Sequence, residues 1–202
     1  MFVVSRLSLV KNMINQKLFQ SLKKEFEFYG EERRKLIGVS NEALMRAKQA
    51  IFAFHRNDLK GGNALLAEVE KIFLDLEKKF KQEPELRYEG AYRAALEEYV
   101  EAKFFGRFLE DGKIDFIKGT EIDADTYLGG ICDFTGELVR KAVLAATEKK
   151  FKKVEEFVAG VRDVIGELIK INLTGYLRTK YDQAKQNLRR AEEVLYDVKM
   201  RE

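Results

Sequence analysis

Two pairs of carboxylates stand out for the chemistry they can do. In LEEYVEA (Leu96–Ala102), Glu98 and Glu101 are three residues apart; in DFTGELVR (Asp133–Arg140), Asp133 and Glu137 are four apart. Both intervals place side chains on one face of an α-helix. Glu98 shares its face with Ala91, Ala94, Ala102, Phe105 and Leu109, and Asp133 shares its face with Glu137, Thr126, Gly129, Gly130, Gly136 and Arg140. Acids on faces this small or apolar are expected in a cleft or in the interior, and an unpaired charge there is costly. If the two faces meet, four like charges raise one another's pKa values. Either some of the acids then hold protons or a divalent cation is bound. Ligation by oxygen alone suits a hard ion, Mg²⁺, Mn²⁺ or Ca²⁺. Zinc is disfavoured because the chain has one histidine, His55, distant from both motifs in sequence. A glutamate or aspartate pair at these intervals also occurs on ordinary helix surfaces, where it carries no chemistry.

The elements that must position these groups read as helices throughout, because no apolar–polar alternation is long enough to argue for a sheet. A first long helix extends from about the N-terminus to Arg56, with Gly30 and Gly38 as points of weakness. Asn57 and Asp58 are candidate caps for a second helix to about Lys81, with Leu65, Val69, Phe73 and Leu76 at helical spacing. Pro84 starts the helix carrying Glu98 and Glu101, whose other apolar face is Tyr92, Leu96 and Tyr99 and which stops near Gly112. Asp123 or Asp125 caps the helix of the second acid pair, which runs to about Lys150, and a further helix covers about 151–171. The last begins after Gly175. Its Leu177, Tyr181, Ala184, Leu188, Ala191, Leu195 and Val198 alternate at four and three, a coiled-coil seam whose partner is either the same domain or another subunit. Gly129, Gly130 and Gly136 beside Asp133 imply that another helix or a ligand approaches closely there.

The 202 residues suit one domain, 1–202, and 35% charge with a single proline favours an all-α, antiparallel bundle of about six to seven long helices. Residues 1–56 hold 11 Lys/Arg against 5 Asp/Glu, whereas Glu121–Asp133 carries acids and no base. A basic region beside an acidic one suits a polyanion held near a metal. The lone cysteine, Cys132, excludes an intramolecular disulfide, fits a cytoplasmic location and has no histidine or second cysteine nearby to support thiol chemistry. MFVVSRLSLVKNM at the start is a poor signal peptide, and no run is long enough to span a bilayer. A ferritin-like di-iron centre is disfavoured because Glu-x-x-His is missing.

LEEYVEA and DTYLGGICDFTGELVR (Asp125–Arg140), together with SNEALMRAKQAIFAFHR (Ser40–Arg56) and KYDQAKQNLRRAEEVLYDVKMR (Lys180–Arg201), resemble segments of the translin and translin-associated factor X family, in the family's order. The likeness is strongest to the factor-X-like branch, with its LQEYVEA-like and DYLLGVADLTGELMR-like stretches. It implies a helical fold assembled into a closed octameric shell and a Mg²⁺-dependent endoribonuclease, with Mn²⁺ as a substitute ion. Glu98, Glu101 and Asp133 match that branch's catalytic acids, and Glu137 matches the acid one turn later. Translin itself lacks this set and mainly binds single-stranded nucleic acid. The chain departs from the eukaryotic factor-X-like subunit in lacking its long insertion before the DYL motif and a basic import tract.

Carried onto this chain, the resemblance implies metal-assisted hydrolysis of single-stranded RNA that leaves 5′-phosphate and 3′-hydroxyl ends. Arg87 and Arg93, expected on the helix of Glu98, align with translin's nucleic-acid-binding arginines, and Arg33, Arg34, Lys35 and Lys48 are further candidates. The expected partners are single-stranded or duplex RNA, single-stranded DNA, and further copies of the chain in a homo-oligomer, an octamer by analogy, with no membrane. Two other readings stand beside this one: a non-catalytic binder of single-stranded DNA or RNA, and a helical scaffold whose acids pair with arginines such as Arg140.

Overall fold

The computed structural model describes residues 14–200, which form six α-helices and one short 3₁₀ turn, with no strand among them. Helix α1, Gln16–His55, is 40 residues long and thus about 60 Å. Asn15 caps it, its side chain accepting from the amides of Lys17 and Leu18 at 3.1 and 3.3 Å. The helix continues through Gly30 and Gly38, because a glycine costs only about 1 kcal/mol and 38 other residues support the ladder. Its buried stripe, Leu36, Ser40, Ala43, Ala47, Ala50, Ile51 and Phe54, begins only halfway along. Before that point Leu18, Leu22 and Phe26 are exposed, Phe26 to 81%. Residues 1–13, which hold the apolar start and the proposed beginning of the first helix, lie outside the described part.

At the other end of α1, Asn57 adopts a left-handed conformation (φ 62°) and turns the chain into α2, Leu59–Phe80. Asp58 caps α2, accepting from Gly61 N at 2.8 Å. The buried Lys141 ammonium donates to the carbonyls of Phe54 and His55, each at 3.2 Å, and to Asn57 Oδ1 at 2.8 Å. It thus satisfies carbonyls that the end of α1 leaves unpaired.

The helix expected to start at Pro84 is divided. Pro84–Tyr88 form a 3₁₀ turn, Glu89 is extended (φ −65°, ψ 128°), and α3 runs from Gly90 to Asp111. Glu89 is the cap of α3, its carbonyl accepting from Tyr92 N and Arg93 N at 3.0 and 3.1 Å, and Arg33 Nη2 donates to its carboxylate at 3.0 Å. Arg87 is therefore not on the helix of Glu98. Gly112, left-handed at φ 73°, ends α3.

Asp123 caps α4, Ala124–Thr147, accepting from Thr126 N at 2.8 Å. Then follow α5, Phe151–Leu168, and α6, Gly175–Lys199. Helices α1, α2 and α3 pack on one another, as do α4, α5 and α6; the α3–α4 contact joins the two groups. The seam of α6 faces α4 and α5, with Tyr181, Ala184, Ala191 and Val198 buried. Its partner is the same domain. No described helix is long and apolar enough to cross a membrane.

Candidate active site

The α3–α4 contact is close because α4 presents glycines. A Cβ on Gly130 would lie 2.6 Å from Val100 Cγ1 and 2.9 Å from the Glu97 carbonyl, and one on Gly129 would strike the Glu97 carboxylate. At Gly136 a Cβ would approach Asn187 of α6 at 3.4 Å. The glycine face thus admits neighbouring helices, which brings the acid face of α3 opposite Asp133 and Glu137.

Glu101 is the innermost of the four acids, 8% exposed. Its carboxylate makes no hydrogen bond or ion pair with any described residue. Burial, reinforced by the charges of Glu98, Asp133 and Glu137 and opposed by Lys180, pushes its pKa from 4.5 up to about 9. Glu98 is raised as well, chiefly by burial against the pull of Lys48, whose Nζ stands 3.5 Å from its Oε2. Burial also raises Asp133, although the Lys180 ammonium bonds to its Oδ2. Glu137 bonds to His55 Nε2 and lies 3.7 Å from Arg140. The four acids occupy one electrostatically coupled region, and each of the outer three is drawn to a cation or imidazole. Among the described residues, no group of three acid, imidazole or thiol side chains is placed so that it could hold a metal ion.

The acids are oxygen donors of the kind a hard divalent ion takes, but as placed they do not converge on one point. A buried acid with three acidic neighbours and no bonded partner is stabilised either by a proton or by added positive charge.

Four functional-looking groups escape a reading by motif. His55 comes from the end of α1 to Glu137, its ring 4.7 Å from that of Phe105 and its Nδ1 buried without a partner. Glu97, Tyr176 and Lys180 form a second set: Tyr176 donates its hydroxyl to Glu97 Oε1 at 2.7 Å, and Lys180 Nζ reaches the same oxygen at 2.7 Å while holding Asp133. The acidic doublet Glu97–Glu98 was a visible signal, but nothing in the sequence ties Lys180 to Asp133, 47 residues earlier, or to Glu97 on the helix before that. Cys132 is buried and its thiol is pushed up to about 12 by burial and Asp133, which makes it inert.

The candidate nucleic-acid contacts are scattered. Arg87 pairs with Glu77 and, at 3.2 Å, with Glu121, and its guanidinium lies 5.3 Å from the centre of the Phe80 ring. Arg93 stands 3.8 and 3.9 Å from Asp123 and Asp125. On α1, Arg33 is tied to Glu89 and Lys35 to Glu32, whereas Arg34 is exposed and forms no ion pair with a described residue. Of the six, Lys48 alone touches the acid region.

The architecture belongs to a known class. The model of the Translin family matches residues 31–202, and the chain belongs to that family. A translin-associated protein X homolog of Schizosaccharomyces pombe is 24% identical over 204 residues, covering 91% of this chain and 88% of that protein. Human translin is 26% identical over 148 residues, and the match spans 66% of this chain and 65% of translin. Among solved structures, apo-NeC3PO aligns with a TM-score of 0.81 at 21% identity, over 93% of this chain and 99% of that one. A chain of the AfC3PO–duplex RNA complex aligns with a TM-score of 0.79 at 22% identity, over 90% of this chain and 96% of that one. These likenesses show that the fold is that of the C3PO chains.

Proposed function

We propose that this protein is a Mg²⁺-dependent endoribonuclease that hydrolyses phosphodiester bonds in single-stranded RNA. The observation that carries the reading is Glu101: a glutamate only 8% exposed, without a bonded partner and electrostatically coupled to three further acids on two helices. Membership of the translin family supports it, as do the protein X homolog among the relatives and the duplex RNA in the AfC3PO complex. Glu98, Glu101, Asp133 and Glu137 would hold the ion, which supplies Lewis-acid activation of the phosphodiester and of the attacking water. The chain's own contribution is to keep these oxygens on rigid helices in a region poor in solvent. One of the acids accepts the water's proton. With no histidine pair to run cleavage through the 2′-hydroxyl, the products carry 5′-phosphate and 3′-hydroxyl ends.

RNA is held through its phosphates by Arg34 and Lys48, the first without a competing ion pair and the second beside Glu98. Arg87, Arg93, Arg33 and Lys35 exchange intramolecular partners for phosphate where they take part. The functional assembly is a homo-oligomer, an octamer by analogy with the family, in the cytoplasm. Since the seam of α6 is used within the chain, assembly draws on other surfaces, such as the one on α1 that carries the exposed Leu18, Leu22 and Phe26.

Incubation of labelled single-stranded RNA with the protein, with and without Mg²⁺ and beside Glu101→Gln, tests the reading. Mg²⁺-dependent cleavage that is lost in the variant is the expected result; 2′,3′-cyclic products formed without metal would overturn the scheme. The alternative, a non-catalytic binder of single-stranded DNA or RNA, has one observation in its favour: Glu98, Asp133 and Glu137 already have Lys48, Lys180 and His55 as partners. Binding without cleavage under every metal condition would select it.

A further inference from the structure

Helix α1 carries a row of side chains that the core leaves in water. Asn41, Met45, Lys48, Phe52 and Arg56 follow one another at intervals of four, three, four and four, all of them exposed, and Arg34 lies two turns before Asn41 on the same face. No acid falls in the row. Phe52 stands between two cations, one turn after Lys48 and one turn before Arg56, and is 55% exposed. The Arg56 guanidinium lies 5.9 Å from the centre of the Phe52 ring and forms no ion pair with a described residue. Lys48 reaches to 3.5 Å from Glu98. The row therefore passes beside the acid region.

We propose that this row is a track for a single-stranded nucleic acid, on which Lys48 and Arg56 hold phosphates and an unpaired base stacks on Phe52. This rests on the RNA-binding reading given above and needs no metal ion. Cations interleaved with an exposed ring are the chemistry of a single-strand site: the phosphates answer the charges, and the flat face of a base covers apolar surface that the helix leaves in solvent. Lys48 and Arg56 are eight residues apart, about 12 Å along the helix axis, with the ring midway, so a base on the ring is flanked by both cations. Phe52 has no donor or acceptor, and it can stack on any base while reading none. Duplex RNA is the poorer ligand, because its bases are already stacked and offer the ring no face. A second copy of this chain is also a poorer occupant, since two copies meeting through this face about a twofold axis would set rows of one sign against each other. Lys48 joins the track to the acids: a strand that it holds passes next to Glu98.

The test is the fluorescence anisotropy of a labelled single-stranded RNA of mixed sequence, titrated with the full chain in EDTA so that neither cleavage nor metal binding enters. Phe52→Ala should weaken binding roughly tenfold and leave its logarithmic salt slope unchanged, because stacking releases no counter-ions. Phe52→Tyr keeps the ring and should bind within about twofold of wild type. Arg56→Ala should flatten the slope by about one unit, as for one phosphate contact. For a labelled RNA duplex, Phe52→Ala should lose less than about twofold. Single-strand affinity that is unchanged in Phe52→Ala, or that falls equally for strand and duplex, would overturn the proposal. So would a smaller assembly of Phe52→Ala in sedimentation velocity, which makes the row an interface between copies. If wild type binds no single-stranded RNA, the nucleic-acid reading itself falls and the proposal with it; wild-type binding that is indifferent to Phe52 overturns only the proposal made here.

Discussion

Replacing Glu101 by glutamine keeps the shape of the side chain and deletes its titration, so the two proteins differ mainly by one ionisable group. The pKa of Glu101 rises from 4.5 to about 9 on folding, burial being the largest cause and the neighbouring acids the next. Below about pH 4.5 the folded and unfolded chains both hold the proton, and the group costs nothing. As pH rises further, only the unfolded chain releases its proton, which penalises the folded state by about 1.4 kcal/mol per pH unit until the folded group ionises near 9. At pH 7 the accumulated cost is about 3 kcal/mol. Glu101→Gln should therefore be more stable than wild type in EDTA at pH 7, with a melting temperature higher by roughly 6–12 °C for a chain of this length. The difference should vanish at pH 4.5 and keep growing to pH 8.5. Thermal unfolding followed by circular dichroism in EDTA at several pH values measures it. Saturating Mg²⁺ should shrink or reverse the gap, because only the wild type can stabilise itself by binding the ion. A variant equal to or less stable than wild type at pH 8 without metal would refute the reasoning, since Glu101 would then be solvated or paired.

Further outcomes follow from the packing and the surface. Gly130→Ala puts a Cβ against Val100 and the carbonyl of Glu97, a backbone atom that cannot swing aside, so urea denaturation should find it less stable by about 1–3 kcal/mol despite alanine's better helix propensity. Arg34→Ala should flatten the logarithmic salt dependence of RNA affinity by about one unit, as expected for one phosphate contact, with no loss of stability. Arg87→Ala should instead lower the melting temperature, because it strips Glu77 and Phe80 of a partner; an unchanged salt slope would remove Arg87 from the RNA surface.

The helical class, the length of most helices and the two acid pairs were legible in the sequence, because each rests on local properties: the 3.6-residue period, capping residues and intervals of three and four. Asp58 and Asp123 cap as their positions suggest. The division at Glu89 was not legible, because glutamate is not a usual capping residue and its side chain makes no capping bond to α3. His55 looked remote for a different reason: 82 residues separate it from Glu137, and only the packing of α1 across α3 and α4 brings them together.

Sequence alone determined that the chain is a bundle of amphipathic helices, that one face of α4 is bare enough for close approach, and which carboxylates can share a face. Tertiary structure alone decided what meets those carboxylates. Lys180, Lys48 and His55 arrive from other helices, the seam of α6 is consumed within the chain, and Glu101 is left without a bonded partner. The physical reason is range. Periodicity and capping act within a few residues of a position, whereas desolvation and charge coupling depend on whatever packing brings within a few ångströms, however far apart along the chain.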